Sequence, residues 1–167
     1  MHTTLATTRT AEILLVEDNE HDVILTREAF KMSKFAINLH HAKDGEECMA
    51  FLRKQGKYAA APPPDIILLD LNMPRAHGRD VLAEISTDER LRCLPVVILT
   101  TSADENEILE MYQLRCSSYI IKPVDFHQFV RAIRAFADYW LTVAVVPTAP
   151  ILGTTIERQS TSCCDPG

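Results

Sequence analysis

The chain has 167 residues, of which 47% are hydrophobic and 24% are charged, as is typical of one soluble globular domain with a short tail. Its formal net charge is -6, and an acidic protein repels phosphate backbones, so we expect no nucleic-acid partner. No apolar run approaches the roughly 18 residues that a membrane-spanning helix needs. The threonine-rich N-terminus also lacks the hydrophobic block of a secretory signal.

Cysteine usage favours a reducing compartment. The sequence contains five cysteines: Cys48, Cys93, Cys116, Cys163 and Cys164. Their number is odd, and no second cysteine or histidine group stands at the spacing of a zinc site. We therefore predict reduced thiols in a cytoplasmic protein. A regulatory disulfide or thiol modification at the last two cysteines is the alternative.

Short apolar segments alternate with segments of helical periodicity along the chain. We predict strands at residues 12–18, 37–42, 65–71, 95–100 and 118–122. We predict helices that begin at or near Asn19, Asp44, Gly78, Asp104 and Asp125. The last helix is expected to run past Trp140 towards Val145, and the proline-rich segment 57–64 is expected to be an extended loop.

The apolar residues of the helices predict which faces are buried. In the first helix these residues are Val23, Ile24, Ala29 and Phe30, and in the last helix they are Phe129, Ile133 and Phe136. Most predicted strands are apolar on both faces, which requires a parallel sheet covered by helices on both sides. Right-handed crossovers then favour an α/β, doubly wound, flavodoxin-like sheet with strand order 2-1-3-4-5.

The chain divides into one domain and two tails. We assign residues 1–10 to an N-terminal tail and residues 11–146 to the domain. Residues 147–167 are rich in Thr and Ser and lack periodicity, so we predict a disordered C-terminal tail.

Polar side chains collect at the ends of the predicted strands, which is the edge where ligands bind in such a sheet. They are Glu17 and Asp18 after strand one, Asp70 after strand three, Thr100 and Thr101 after strand four, and Lys122 after strand five. A single acid at a strand end is common on protein surfaces. The combination of three acids with a lysine argues against a purely structural role.

The three carboxylates predict a metal site, because acids held this close repel unless a cation neutralises them. A hard divalent cation with oxygen ligands, Mg²⁺ above all, fits this set. We expect Asp18 and Asp70 to be direct ligands and Glu17 to act through water. The backbone carbonyl of Asn72 would supply a further oxygen.

Asp70 is the candidate nucleophile towards a phosphoryl group. The metal and Lys122 would offset charge on the transferring oxygens, and Thr100 would donate its hydroxyl once Asp70 is modified. A dianion at Asp70 would draw Thr100 inwards and leave space for an aromatic side chain.

These motifs resemble the receiver domains of two-component response regulators. The matching residues are Glu17-Asp18, Asp70-Leu71-Asn72-Met73-Pro74 with Gly78, Thr100, and Lys122-Pro123, within residues 11–140. The resemblance implies that a sensor histidine kinase donates the phosphoryl group to Asp70 and that Mg²⁺ is required. It also implies that Tyr119 is the aromatic switch partner of Thr100. The bond between Lys122 and Pro123 would then be cis, as is usual in this family.

A narrower resemblance concerns the long loop before Asp65 and three short runs. The runs are residues 96–102, 122–126 and 139–143. They resemble the small stand-alone response regulators that partner cyanobacterial phytochromes. This implies red/far-red light as the input and a dimeric protein, although similar stand-alone regulators occur with other sensors.

Thr101 departs from many receivers, which carry a small alanine at this position beside the phosphorylation site. We expect its β-branched side chain to narrow the access of water and so to slow dephosphorylation. The alternative is that the position simply tolerates threonine.

The segment after the last helix predicts a protein interface. From Tyr139 onwards it carries more apolar surface than one helix face can bury. We predict a homodimer formed by helix four, strand five and helix five. The candidate interface residues are Tyr139, Trp140 and Val143.

Signalling through altered protein contacts is the leading function, with no enzymatic turnover beyond self-phosphorylation and dephosphorylation. Only about 20 residues follow Pro147, too few for a DNA-binding domain. A Mg²⁺-dependent phosphohydrolase of the haloacid dehalogenase type needs a second acid two positions after its nucleophile, where this chain has Asn72. A constitutive dimeric scaffold is a third alternative.

Overall fold

The computed structural model describes residues 9–73, 77–144 and 146. Within them, five strands form one parallel sheet: β1 (Ala11–Val16), β2 (Ile37–Ala42), β3 (Ile66–Leu69), β4 (Val96–Thr100) and β5 (Ser118–Ile121). The strand order is β2-β1-β3-β4-β5, which confirms the predicted doubly wound, flavodoxin-like α/β fold. Val16 pairs with Leu69, so the residues that follow β1 and β3 are neighbours at one edge of the sheet.

Five α-helices alternate with the strands: α1 (Glu20–Lys31), α2 (Gly45–Leu52), α3 (Gly78–Thr87), α4 (Glu105–Gln113) and α5 (Phe126–Asp138). Four helices begin after a side chain that accepts backbone N–H bonds from the first turn: Asn19, Asp44, Asp104 and Asp125. These caps satisfy donors that have no partner inside the helix. Because Asn19 directly follows the two acids after β1, its cap starts α1 at the acidic edge of the sheet.

Helices cover both faces of the sheet, which is why the strands are continuously apolar. Ile13 and Leu15 of β1 contribute to the core on the side of α1 and α5, whereas Leu14 and Val16 contribute to the core on the side of α2 and α3. The predicted core residues of the last helix are all buried: Phe129, Ile133 and Phe136.

Ile24 does not belong to the core, and its predicted burial is wrong. Its side chain is 57% exposed, whereas the buried residues of α1 include Val23, Thr26 and Phe30. The buried stripe follows positions i, i+3 and i+7, and one further step of about 100° carries Ile24 away from the sheet.

Strand β2 has the predicted bounds, the other four strands are shorter than predicted, and the last helix changes its pitch. Three site residues lie just beyond the strand ends: Glu17, Asp70 and Lys122. Their side chains therefore need not point alternately to the two faces of the sheet, as those within a strand do. Helix α5 ends at Asp138 and continues as a π-helical turn over Tyr139–Val143. A 3₁₀ turn, Gly56–Tyr58, opens the loop before β3. Residues 1–8, 74–76, 145 and 147–167, and with them Pro74 and most of the predicted tails, lie outside the described residues.

The bond between Lys122 and Pro123 is trans, like every other described peptide bond, so the expected cis bond is wrong. The trans form of such a bond is favoured by about 0.5–1 kcal/mol. Here it carries the chain from β5 to the Asp125 cap of α5.

Cys48, Cys93 and Cys116 are free thiols, as predicted. Burial raises the pKa of Cys48 to about 12 and that of Cys116 to about 11, so both are inert parts of the core. Cys163 and Cys164 lie outside the described residues. No helix in the described part of the chain is both long and apolar enough to cross a bilayer.

Gly78 allows α3 to begin directly against the backbone that follows β3. A Cβ atom at this position would lie 2.5 Å from the carbonyl oxygen of Asp70 and 2.9 Å from Cα of Leu71. Both partners are backbone atoms and cannot rotate away. Any side chain at position 78 would therefore displace either α3 or the backbone of Asp70.

We expect the substitution Gly78→Ala to lower the free energy of unfolding by about 1–3 kcal/mol, the usual cost of overpacking. Urea denaturation measures this change. Arg79→Ala is the matched control, because Arg79 occupies the next position and is exposed. Equal midpoints for the two variants would contradict the proposed backbone contact.

Candidate functional site

Three carboxylates meet at the carboxyl edge of the sheet. Glu17 and Asp18 follow β1, Asp70 follows β3, and one oxygen from each lies within 4.8 Å of the others. Glu17 and Asp70 are buried, whereas Asp18 is exposed. The site is therefore closed on its inner side and open to solvent at Asp18.

Lys122 places its ammonium group among the acids. Its Nζ lies 2.5 Å from Oε2 of Glu17 and 3.2 Å from Oδ2 of Asp70, and it is 3.0 Å from Oδ2 of Asp22. The backbone holds Lys122 in this place, because its N–H donates to the carbonyl of Thr100 at 2.7 Å. The position of Lys122 is thus fixed by hydrogen bonds from both its main chain and its side chain.

The charges in this cluster are strongly coupled. Burial raises the pKa of Glu17 to about 7, assisted by the negative charge of Asp70 and opposed by the hydrogen bond from Lys122. For Lys122, burial works against the charged form, but the hydrogen bonds that it donates to Glu17 and Asp22 and the charge of Asp70 outweigh this effect. Its pKa therefore lies well above the usual range. Lys122 stays protonated, whereas Glu17 takes up a proton near pH 7.

Asp70 is held in a defined orientation. Its backbone N–H donates to the carbonyl of Val16 at 3.0 Å, and its Oδ1 accepts the backbone N–H of Asn72 at 3.0 Å. Its other oxygen, Oδ2, accepts the bond from Lys122. Because both oxygens are held by donors, the carboxylate keeps one orientation at the rim of the site.

Asn72 links the two threonines that follow one another at the end of β4. Its Nδ2 donates to Oγ1 of Thr100 at 3.0 Å and to Oγ1 of Thr101 at 3.1 Å. Thr100 is fully buried and Thr101 is exposed. The side-chain amide therefore ties the interior of the site to its rim.

Tyr119 lies in β5, next to β4, and its ring packs against the core on the α2–α3 side. Its hydroxyl donates to the carbonyl of Ser102 at 3.0 Å. Burial raises the pKa of Tyr119, so the hydroxyl remains a donor at neutral pH. The ring stands half-buried beside the loop that follows Thr100.

Two participants were not found from the sequence. Asp22 lies in the first turn of α1, where an acid is explained equally well by the helix dipole. His41 of β2 forms a 2.7 Å hydrogen bond from Nε2 to the carbonyl oxygen of Glu17, and the pairing of β2 beside β1 was the one signal for it. Neither residue directly follows a predicted strand, the position at which a polar side chain indicates a site.

The acids fit a hard divalent cation. Carboxylate oxygens are the ligands that Mg²⁺ prefers, and the solvent-exposed side at Asp18 leaves room for the waters that such an ion keeps. Glu17, Asp18 and Asp70 would hold the ion, with Lys122 on the buried side of the cluster.

Sequence similarity assigns the family. Residues 13–134 match the response regulator receiver domain. The chain belongs to the response regulator receiver family. Receiver domains are in general signalling modules rather than enzymes.

Individual receivers are similar over most of the chain. Response regulator Rcp1 of Synechocystis sp. is 39% identical over 137 residues, which cover 82% of this chain and 93% of Rcp1. The probable methanogenesis regulatory protein FilR2 of Methanothrix harundinacea is 36% identical over 77% of this chain and 83% of FilR2.

Solved receiver structures share the fold. The phosphorylated cyanobacterial phytochrome response regulator RcpA has a TM-score of 0.80 and 41% identity, covering 84% of this chain and 100% of RcpA. The Mn²⁺-bound form of Rcp1 has a TM-score of 0.77 and 39% identity, covering 82% of this chain and 99% of Rcp1. The resemblance to receivers that serve cyanobacterial phytochromes is confirmed.

Proposed function

We propose that this receiver accepts a phosphoryl group on Asp70 from a sensor histidine kinase and signals through altered protein contacts. The observation that carries the proposal is the position of the Asp70 carboxylate, between two further acids and the buried ammonium of Lys122. An acid placed in this way can accept a phosphoryl group only where cations offset the added charge.

The transfer forms one bond and breaks another. An oxygen of Asp70 bonds to phosphorus while the bond between phosphorus and the histidine nitrogen of the kinase breaks. The backbone N–H of Asn72 orients the carboxylate, and Lys122 supplies a fixed positive charge beside it. Bound Mg²⁺ would neutralise charge on the phosphoryl oxygens. The reaction ends with an acyl phosphate on Asp70, and no turnover beyond its formation and hydrolysis is proposed.

Thr100 and Tyr119 are the proposed switch. A phosphoryl group on Asp70 offers a new acceptor to the hydroxyl of Thr100. Thr100 is buried at the end of β4, the strand next to β3, and its hydroxyl accepts a hydrogen bond from Asn72. Movement of Thr100 would free space beside β4, and the half-buried ring of Tyr119 would turn into it. That turn would change the surface formed by α4 and β5.

Incubation with acetyl phosphate and Mg²⁺ is expected to add about 80 Da to the intact protein, the mass of one phosphoryl group. Asp70→Asn should abolish the gain, because the amide is not a nucleophile. Asp104→Asn is the matched control, since asparagine preserves the cap of α4. Mass gain in Asp70→Asn, or none in the wild type, would refute the assignment.

Mg²⁺ is expected to bind roughly tenfold more tightly at pH 8 than at pH 6, because a ligand with a pKa of about 7 must first lose its proton at the lower pH. The ligand in question is Glu17, and isothermal titration calorimetry measures the effect. In Glu17→Gln the affinities at the two pH values should converge. Equal wild-type affinities at both pH values would count against a role for Glu17 in the metal site.

Thr101→Ala is expected to shorten the lifetime of the phosphorylated protein about fivefold, the effect of losing roughly 1 kcal/mol of hydrogen bonding to Asn72. The decay of the added mass with time measures it. Thr101→Val keeps the bulk and loses the hydroxyl, so it separates steric access from hydrogen bonding. An unchanged lifetime in both variants would leave the threonine without a role.

The proposed kinase is a phytochrome, and the likeness to RcpA supports it. The likeness to FilR2 favours a different input at somewhat lower identity. The proposal predicts that an autophosphorylated cyanobacterial phytochrome transfers its phosphoryl group to Asp70 faster than an unrelated histidine kinase does. Equal or no transfer contradicts it. The free thiols support the cytoplasmic location that this pairing requires.

We also propose a homodimer through α4, β5 and α5. Large apolar side chains are exposed on or next to these elements: Leu109, Tyr112, Ile121, Phe126, Tyr139 and Val143. Of the predicted interface residues, Tyr139 and Val143 are exposed, whereas Trp140 is half-buried against the core on the α1–α5 side. Strand β5 is also the edge of the sheet, so this face is open to a partner.

Light scattering at tens of micromolar is expected to find a dimer that Leu109→Glu converts to a monomer, because a buried unpaired charge opposes association. Ile24→Glu is the matched control, since Ile24 on α1 is as exposed as Leu109, at 57% and 58%. A monomeric wild type, with and without a phosphoryl group, would disprove the dimer.

Two alternatives are less well supported. A haloacid dehalogenase-type phosphohydrolase would need an acid at position 72, where the side chain is an amide that donates to two hydroxyls. A constitutive scaffold would not need the phosphorylation residues, yet the acids and Lys122 lie together. A wild type that gains no mass but forms the dimer would favour the scaffold.

A further inference from the structure

Asp22 is the third carboxylate on Lys122, and it comes from outside the group of strand-end residues. Its Oδ2 lies 3.0 Å from Nζ of Lys122, which is closer than Oδ2 of Asp70 at 3.2 Å. The side chain of Asp22 is 30% exposed, whereas that of Lys122 is almost fully buried. Asp22 therefore approaches the ammonium group from the solvent side.

The start of α1 fixes Asp22 in this position. Its backbone N–H donates to the side chain of Asn19 at 3.2 Å, and its carbonyl accepts the hydroxyl of Thr26 at 2.8 Å. The helix cap and the first turn thus set where the carboxylate points. The cap residue Asn19 directly follows Glu17 and Asp18, so the first turn of α1 begins beside these two acids.

An ammonium group has three donors, and in this structure each has its own carboxylate. The acceptors are Glu17, Asp22 and Asp70, so no donor is left for a further oxygen. A phosphoryl oxygen on Asp70 must therefore take or share a donor that is already engaged. Asp22 is the partner that loses least on release, since water can solvate its partly exposed carboxylate but cannot reach Glu17.

We propose that Asp22 is a positioning residue, which holds Lys122 back from the phosphoryl group and so slows phosphoryl transfer to Asp70. The proposal rests on the proposed function and deepens it. Glu17 anchors the lysine permanently, and Asp22 competes with the incoming phosphoryl group for the remaining donor. Removing the charge of Asp22 frees Lys122 and also reduces repulsion of an anionic phosphodonor.

The test compares Asp22→Asn with Glu20→Gln in the full chain. Glu20 stands in the same helical turn, so the control removes the same charge, yet the described structure records no ion pair between Glu20 and Lys122. At saturating Mg²⁺, the rate constant for phosphorylation by acetyl phosphate is expected to rise roughly three- to tenfold in Asp22→Asn, because one charged competitor for a hydrogen bond from Lys122 is removed. Glu20→Gln should match the wild type, and Asp22→Glu should restore the slow rate.

A second measurement separates positioning from a merely structural role. The ¹⁵N-edited NMR signal of the Lys122 ammonium group should shift and exchange faster with water in Asp22→Asn, but not in Glu20→Gln. Unchanged rates and signals in Asp22→Asn, or the same gain in both variants, would overturn the proposal. The signal needs no phosphorylation, so it decides the role of Asp22 even if the wild type gains no mass, a result that would refute the proposed function separately.

Discussion

The contact between Lys122 and the acids is the interaction on which the rest of the site depends. A buried ammonium is tolerated only with opposite charges around it, and buried carboxylates that meet each other need a cation in the same way. The buried ammonium group and the buried carboxylates thus offset part of the free energy that each loses on leaving water. The parallel sheet makes this possible, because it brings the ends of β1, β3 and β5 to one edge.

Negative charge exceeds positive charge at that edge of the sheet, and this excess favours the binding of a metal ion. Lys122 supplies one positive charge to four nearby carboxylates, counting exposed Asp18 and partly exposed Asp22. A protein without function at this site would be more stable with fewer acids. Burial raises the pKa of Glu17, and the negative charge of Asp70 adds to the shift. The excess of acids over Lys122 also favours the binding of a divalent cation. The attraction for a metal cation is thus achieved at the expense of stability.

The sequence predicts the sheet and most of the site because both depend on local signals. Apolar runs identify buried strands, and an acid or lysine directly after such a run must lie at the carboxyl edge. Asp22 gives no such signal, since its partner Lys122 is 100 positions away and an acid in a first helical turn is ordinary. The predicted burial of Ile24 is wrong because helical spacing alone does not decide which neighbour of Val23 along the chain also faces the sheet. The trans bond before Pro123 could not be predicted, because the two isomers of such a bond differ little in energy.

The side-chain amide of Asn72 has a consequence for how this receiver can vary. Its two hydrogens are shared between buried Thr100 and exposed Thr101, so water can replace the bond to Thr101 but not the bond to Thr100. Positions 72 and 100 are therefore expected to change in concert over evolutionary time, whereas position 101 can vary alone. A receiver that replaced Asn72 alone would carry the energetic penalty in its resting state, where natural selection acts on it even in the absence of any signal.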